Sequence, residues 1–189
     1  MPLRSIAFSA LVSLIPLAPA AAQIPRKSPE YAINMNQGGQ ILLSTQRGKV
    51  VALLFILTTC GHCQKVTQTL TGIQKEFGPR GFQTIAAAIE DGSARNVPGF
   101  VQQFKPSFPV GYTPRDSASE YLQQSSIVPM MMPQLVFIDR AGTIVAKHPG
   151  DDPIFNDGAE KSLRAKIESL LGSSPAPAAK KKAATSAKK

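Results

Sequence analysis

The sequence has no tryptophan, two cysteines and two histidines in 189 residues, and aromatic residues make up 6% of it. Two cysteines exclude a disulfide-stapled scaffold and a four-cysteine zinc site. Zinc held by the pair would need two further ligands, and His62 and His148 are the only histidines. No apolar run reaches the ~20 residues needed to span a bilayer. Residues 173–189 contain no acid and no large apolar side chain. Such a segment cannot offset the entropy of ordering and is expected to be a disordered Ala/Pro/Lys-rich tail.

The formal net charge of +9 suggests a nucleic-acid or acidic-surface binder until it is divided along the chain. Residues 1–22 carry one base, Arg4, and the tail carries five lysines, Lys180, Lys181, Lys182, Lys188 and Lys189. Residues 23–172 hold the other fifteen bases and all twelve acids, a net +3. No nucleic-acid-binding fold is implied. The tail is suited at most to weak contact with an anionic surface.

The start reads as a secretory signal. Arg4 gives the positive region, Ile6 to Leu17 the apolar stretch, and Ala18-Pro19-Ala20 or Ala20-Ala21-Ala22 the small-residue cleavage site. Residues 1–22 are therefore expected to be removed, 23–30 to be a linker, and 31–172 to form one domain. The expected compartment is extracytoplasmic, the bacterial periplasm.

Within that domain, Tyr31–Asn34 and Ile41–Leu43 flank a Gln37-Gly38-Gly39 turn and predict a β-hairpin. Val50–Leu57 is unbroken apolar sequence, the pattern of a strand buried on both faces. Val66, Leu70, Ile73 and Phe77 follow at helical spacing. Phe82–Ile89 predicts a strand, Val97–Phe104 a helix with Pro98 in its first turn, and Phe108–Tyr112 an extended piece. Ser117–Gln124 predicts a helix. Gln134–Ile138 and Thr143–Lys147 form a hairpin through Asp139-Arg140-Ala141-Gly142. Gly158–Leu171 predicts the last helix, with Gly172 past its end. The class is α/β: a central mixed sheet flanked by helices, with an N-terminal hairpin extension.

Thr58-Thr59-Cys60-Gly61-His62-Cys63 lies where the buried strand hands over to a helix. A sulfur at a helix N-terminus faces unpaired N–H groups and the positive end of the macrodipole, so the Cys60 thiol is expected below the free value of about 8.5. Cys63, three residues on, shares its helical face and is within disulfide reach. The pair can cycle: Cys60 attacks or is attacked, and Cys63 resolves the mixed disulfide. His62 between them can add positive charge. Haem attachment would need His directly after the second cysteine, where Gln64 stands. A structural disulfide closing so short a loop would constrain little of the unfolded chain. No cofactor and no metal are expected.

GKVVALLFILTTCGHC at 48–63, FPV at 108–110 and PQLVFIDRAGTIV from Pro133 resemble the thioredoxin-like superfamily, specifically the secreted TlpA-like thiol–disulfide oxidoreductases. The resemblance covers roughly residues 31–171, and CGHC is also the dithiol of protein disulfide isomerases. It implies a thioredoxin-like fold with Cys60 as attacking thiol, Cys63 as resolving thiol and Pro133 as a cis-proline facing them. Met132 would then offer its backbone to an extended substrate, and Met130, Met131 and Met132 would line the mouth. Ordinary core or loop packing is an equally good reading of these methionines. The implied partners are cysteine-containing envelope proteins and a redox protein that resets the dithiol.

Three departures from the family stand out. Thr59 replaces the usual aromatic, Leu54 the buried acid of thioredoxins, and Val66 the Glu of the reductive branch. Without either proton acceptor near Cys63, the sequence tilts towards oxidase or isomerase. Glu90 or Asp91 could reach the same rim, although a solvated loop acid is the commoner outcome. Two other readings remain open. A peroxiredoxin-like thiol peroxidase would explain the threonines before Cys60, at the wrong offset. A copper-binding module would use Cys60, Cys63, His62 and the methionines as soft ligands.

Overall fold

The computed structural model describes residues 24–125 and 127–173, so the expected signal segment and the tail from residue 174 lie outside it. Eight strands form one sheet in the order β1-β8-β7-β4-β5-β6-β2-β3. They are β1 Arg26–Lys27, β2 Ala32–Asn34, β3 Gln40–Leu42, β4 Val50–Ile56, β5 Phe82–Ala88, β6 Val110–Tyr112, β7 Gln134–Ile138 and β8 Thr143–His148. The helices are α1 Gly61–Phe77, α2 Ser93–Phe104, α3 Arg115–Leu122 and α4 Ala159–Ser173.

The centre of the sheet is β4. Its β5 side is parallel and its β7 side antiparallel, which makes the sheet mixed. Every residue of β4 is buried. Val50, Ala52, Leu54 and Ile56 meet the apolar faces of α1, α2 and α4 on one side. Val51, Leu53 and Phe55 meet α3 and Tyr31 on the other. The period-two alternation of a strand thus explains the unbroken run, because both faces are covered. Val66, Leu70, Ile73 and Phe77 of α1 are all core residues.

Lys27 and Ala32 end β1 and begin β2, and five residue steps reach at most about 18 Å. In a flat sheet, strands six places apart would lie about 29 Å apart. The sheet is therefore strongly curled, bringing its first edge round towards the hairpin. Residues 24–30, the described part of the segment 23–30 expected as a linker, are part of this closure. Arg26 and Lys27 pair with Ile144 and Thr143. The N–H of Ser28 donates to the Gly142 carbonyl at 2.9 Å, and its hydroxyl meets the Tyr121 hydroxyl at 2.9 Å. The Arg26 guanidinium donates to the Tyr121 carbonyl, and Lys147 Nζ to the Leu122 carbonyl at 3.1 Å. Composition hides such docking. Its cause is the bare edge of β8 and the unpaired carbonyls ending α3, both of which need donors.

Three helix boundaries differ from expectation. The second helix starts at Ser93, so Pro98 falls in its second turn. Proline has no N–H for the Ala94 carbonyl, and the Asn36 side chain donates to it instead. The third helix runs two residues earlier than expected and is closed by Gln123 in the left-handed region, φ 50°. The last helix continues through Gly172.

Candidate active site

Four segments meet at one end of the sheet. β4 and β5 are parallel and deliver Leu57–Cys60 and Ile89–Gly92 there. β7 is antiparallel to β4 and starts there, after Met132-Pro133. β8 ends there, because His148 lies opposite Leu135.

Cys60 is the N-cap of α1, with φ −79° and ψ 114°. Its N–H donates to the Leu57 carbonyl at 3.1 Å, and its carbonyl accepts from Gln64 N–H at 3.0 Å. Its half-exposed sulfur accepts the N–H of Cys63 at 3.3 Å. An N-cap sulfur thus takes the place of the usual Ser or Asp oxygen. Cys63 is the opposite case: its side chain is fully buried and packs in the core with Leu54 and Val66. Burial pushes the Cys63 thiol far above the ordinary thiol range, and its hydrogen bond with Cys60 pushes it further. Both cysteines are free thiols.

Glu90, one of the two rim acids named from the sequence, is tied to the turn before Cys60. It is half-buried, and one carboxylate oxygen, Oε1, accepts both the N–H of Thr58 (3.0 Å) and the Thr58 hydroxyl. On the other side of the same residue, Gln64 Nε2 donates to the Thr58 carbonyl at 2.9 Å. Both peptide groups of Thr58 are thus fixed, and with them the turn that presents Cys60. An acid directly after an apolar strand parallel to the dithiol strand was the available signal. Asp91, the other rim candidate, is exposed.

The Met132–Pro133 peptide bond is cis. Pro133 is buried, Met132 half-buried and Met131 exposed. The Met131 carbonyl is held by the N–H of Gly150 (3.0 Å) and by Gln134 Nε2 (2.6 Å). Gly150 must be glycine here, since a Cβ would collide with the Met132 backbone. The loop carrying Gly150 is organised by Asp152. Its carboxylate accepts from Ile154 N–H at 2.8 Å and meets His148 Nδ1 at 3.0 Å. Burial pushes this carboxyl up, but those two partners outweigh it and hold Asp152 below the usual range. The same loop sets Phe155 edge-on against the His62 ring, with centroids 5.4 Å apart.

A dithiol with one half-exposed and one buried cysteine, at a helix start beside a cis-proline on a curled mixed sheet, defines a thioredoxin-fold redox protein. The Redoxin family profile matches residues 20–166, and the chain belongs to that family. A Chlorobium tepidum protein assigned as the thiol:disulfide interchange protein DsbE is similar, with 25% identity and a TM-score of 0.67 over 78% of this chain and 97% of that one. A Bacteroides thetaiotaomicron protein assigned as a protein disulfide isomerase shares 27% identity, with a TM-score of 0.65 over 79% and 91%. The thioredoxin domain of a Bacteroides vulgatus thiol–disulfide oxidoreductase, 20% identical with a TM-score of 0.63 over 80% and 99%, shares the fold. No curated protein matches the chain. The chain is a thiol–disulfide oxidoreductase of the Redoxin family.

Proposed function

We propose that this protein works outside the cytoplasm, exchanging disulfides with cysteine-containing envelope proteins and acting as an oxidase or isomerase. The observation that carries the reading is the asymmetry of the dithiol: an N-capping, half-exposed Cys60 over a buried Cys63 whose thiol resists ionisation. When the pair is oxidised, a substrate thiolate attacks Cys60 Sγ and a mixed disulfide forms while Cys63 leaves with the electron pair. A second substrate thiolate then displaces Cys60, and the substrate leaves as a disulfide with the protein dithiol reduced.

The reverse, reductive direction needs the Cys63 thiolate to attack the mixed disulfide. Leu54 and Val66, both buried, stand where the resemblance to the family puts an acid that would take its proton. This supports the oxidising or isomerising direction. Met132 supports substrate alignment, since its own N–H and carbonyl make no hydrogen bond among the described residues. The ring of His62 stands beside the sulfurs in sequence and is steadied by Phe155. The signal-like residues 1–22 support export, and among the described residues no helix is long and apolar enough to cross a membrane. The Thr58 hydroxyl is turned to Glu90, which weakens its use in a peroxidase.

The test is Cys63→Ala in the full chain. Without the resolving thiol, envelope proteins should accumulate as mixed disulfides on Cys60 and be released by a thiol reductant. An envelope extract that yields no such adduct contradicts the reading.

A further inference from the structure

The net +3 of residues 23–172 is an average over two unlike ends of the sheet. At the dithiol end, Glu90 and Asp91 follow β5, Asp116 starts α3, and Asp151, Asp152 and Asp157 lie between β8 and α4. These are six of the chain's twelve acids. The bases there are Lys65, Arg95 and Arg115, early in α1, α2 and α3. The other end is basic. Arg47 and Lys49 precede β4, Arg80 precedes β5, Lys75 is in the last turn of α1, Arg140 turns β7 into β8, and Lys27 pairs with Thr143. Hydrogen bonds gather these segments. Gly48 N–H donates to the Arg140 carbonyl at 2.9 Å, and the Arg140 guanidinium donates to the Gly48 and Arg80 carbonyls at 3.0 and 3.2 Å. Lys27, Arg47, Lys75 and Arg80 are exposed. The acids on this side are Glu30, Asp139 and Glu76, and Glu76 is already paired with Arg164.

That ion pair also gives the direction of α4. The helix begins after the loop from the dithiol end, and at Arg164 it has reached Glu76 in the last turn of α1. It therefore runs towards the basic end, and Ser173 lies about 14 Å further on. Lys180, Lys181, Lys182, Lys188 and Lys189 follow it in the chain with no acid among them. The basic tail sequence thus starts at the basic end of the domain.

We infer that this end, opposite the dithiol, docks on an anionic lipid surface and turns Cys60 away from the bilayer. A bilayer of acidic headgroups is broad and uniformly negative, so bases scattered over several loops can reach it together. The same surface repels the acids around Cys60, which adds orientation to attraction. A second copy fits less well. It could offer only its dithiol end, whose acids are partly offset by three bases, and the contact would cover Cys60.

The test uses the chain without residues 1–22, which keeps every described residue. The probes are vesicles of phosphatidylcholine, alone or with about one third phosphatidylglycerol. Co-sedimentation at about 50 mM salt should show binding to the anionic vesicles only, and about 0.5 M salt should release it. Lys27→Gln, Arg47→Gln and Lys75→Gln together should weaken binding about tenfold or more, since each base near an anionic bilayer contributes about fivefold. Lys75→Gln alone, at an exposed helical position, should weaken it about threefold. Lys65→Gln with Arg95→Gln and Arg115→Gln removes the same charge from the dithiol end and should change binding by about twofold or less. Iodoacetamide should alkylate Cys60 as fast in the bound protein as in the free one. Equal losses in the two triple variants overturn the docking surface, as does equal binding to both vesicles. Protection of Cys60 by the vesicles overturns the orientation. Wild-type binding by the first variant, with neutralised tail lysines abolishing it, overturns the part given to the domain. Low-salt oligomers that the first variant loses make a second copy the occupant, and duplex DNA bound more tightly than the vesicles makes it nucleic acid; either overturns the lipid assignment.

Discussion

Cys63 and Glu90 are the residues at which the proposed chemistry is tested most sharply, and each can be removed singly. Glu90→Ala takes away the acceptor for two donors of Thr58, one of them a buried N–H. Hydrogen bonds to a charged group contribute about 1.5–3 kcal/mol, so stability should fall by about 2 kcal/mol in chemical denaturation. The Thr58–Cys60 turn also loosens, and with it the N–H donation to the Cys60 sulfur. The dithiol–disulfide equilibrium with glutathione should then move towards the disulfide by about fivefold, roughly 1 kcal/mol. Glu90→Gln, which keeps an acceptor oxygen, should restore most of both. An alanine variant that loses stability while its equilibrium stays within about twofold of wild type would reduce Glu90 to scaffolding. The cysteine pair and Pro133 were legible in the sequence because short-range spacing carries them. Glu90 was not, because its partner lies 32 residues away and only strand register brings them together.

At the scale of elements, the site is the junction between β4 and α1, closed by the loop from β8 to α4. Both faces of β4 are apolar, so Leu54 cannot offer a proton acceptor to Cys63, and neither can the inner face of α1 at Val66. Val66→Glu puts a carboxyl there. Burying it should lower stability by several kcal/mol, since an ionisable group leaves water. It should also make insulin reduction faster per folded molecule, measured by turbidity. A variant that folds yet reduces insulin no faster would break the link between the missing acids and direction. Gly150→Ala should displace the Met132–Pro133 segment, slowing exchange with peptide disulfides by about tenfold or more, as a misplacement near 1 Å can. Peptide exchange at the wild-type rate would contradict this. The long β4 and α1 patterns were legible because one periodicity governs each. The β1 pairing was not, since two residues give no period, and their position is dictated by the edge of β8.

For the molecule as a whole, the buried thiol predicts how stability depends on pH. Cys63 holds its proton in the folded state far above the ordinary value of 9.0, whereas in the unfolded chain it ionises near that value. Its contribution is therefore complete below pH 9 and declines as pH rises above it, by about 1 kcal/mol between pH 9 and 10. Tyr31 and Tyr121, each pushed up to about 12 mainly by burial, add the same sign of loss above pH 10. Denaturation of the reduced protein at pH 9 and 10 should show the first loss, and Cys63→Ala should lack it. An equal loss in that variant would contradict the buried-thiol assignment. The two-cysteine composition, read with the division of the +9 charge, already pointed to a redox domain and away from nucleic acid. The curl of the sheet and the convergence of four segments at one end emerge only from the three-dimensional pairing. The central claim is a dithiol poised to oxidise or isomerise, and its reduction potential against glutathione tests that most directly. A value near −180 mV or above, in the range of disulfide isomerases and oxidases, is predicted, and one near −270 mV, that of a reducing thioredoxin, would contradict it.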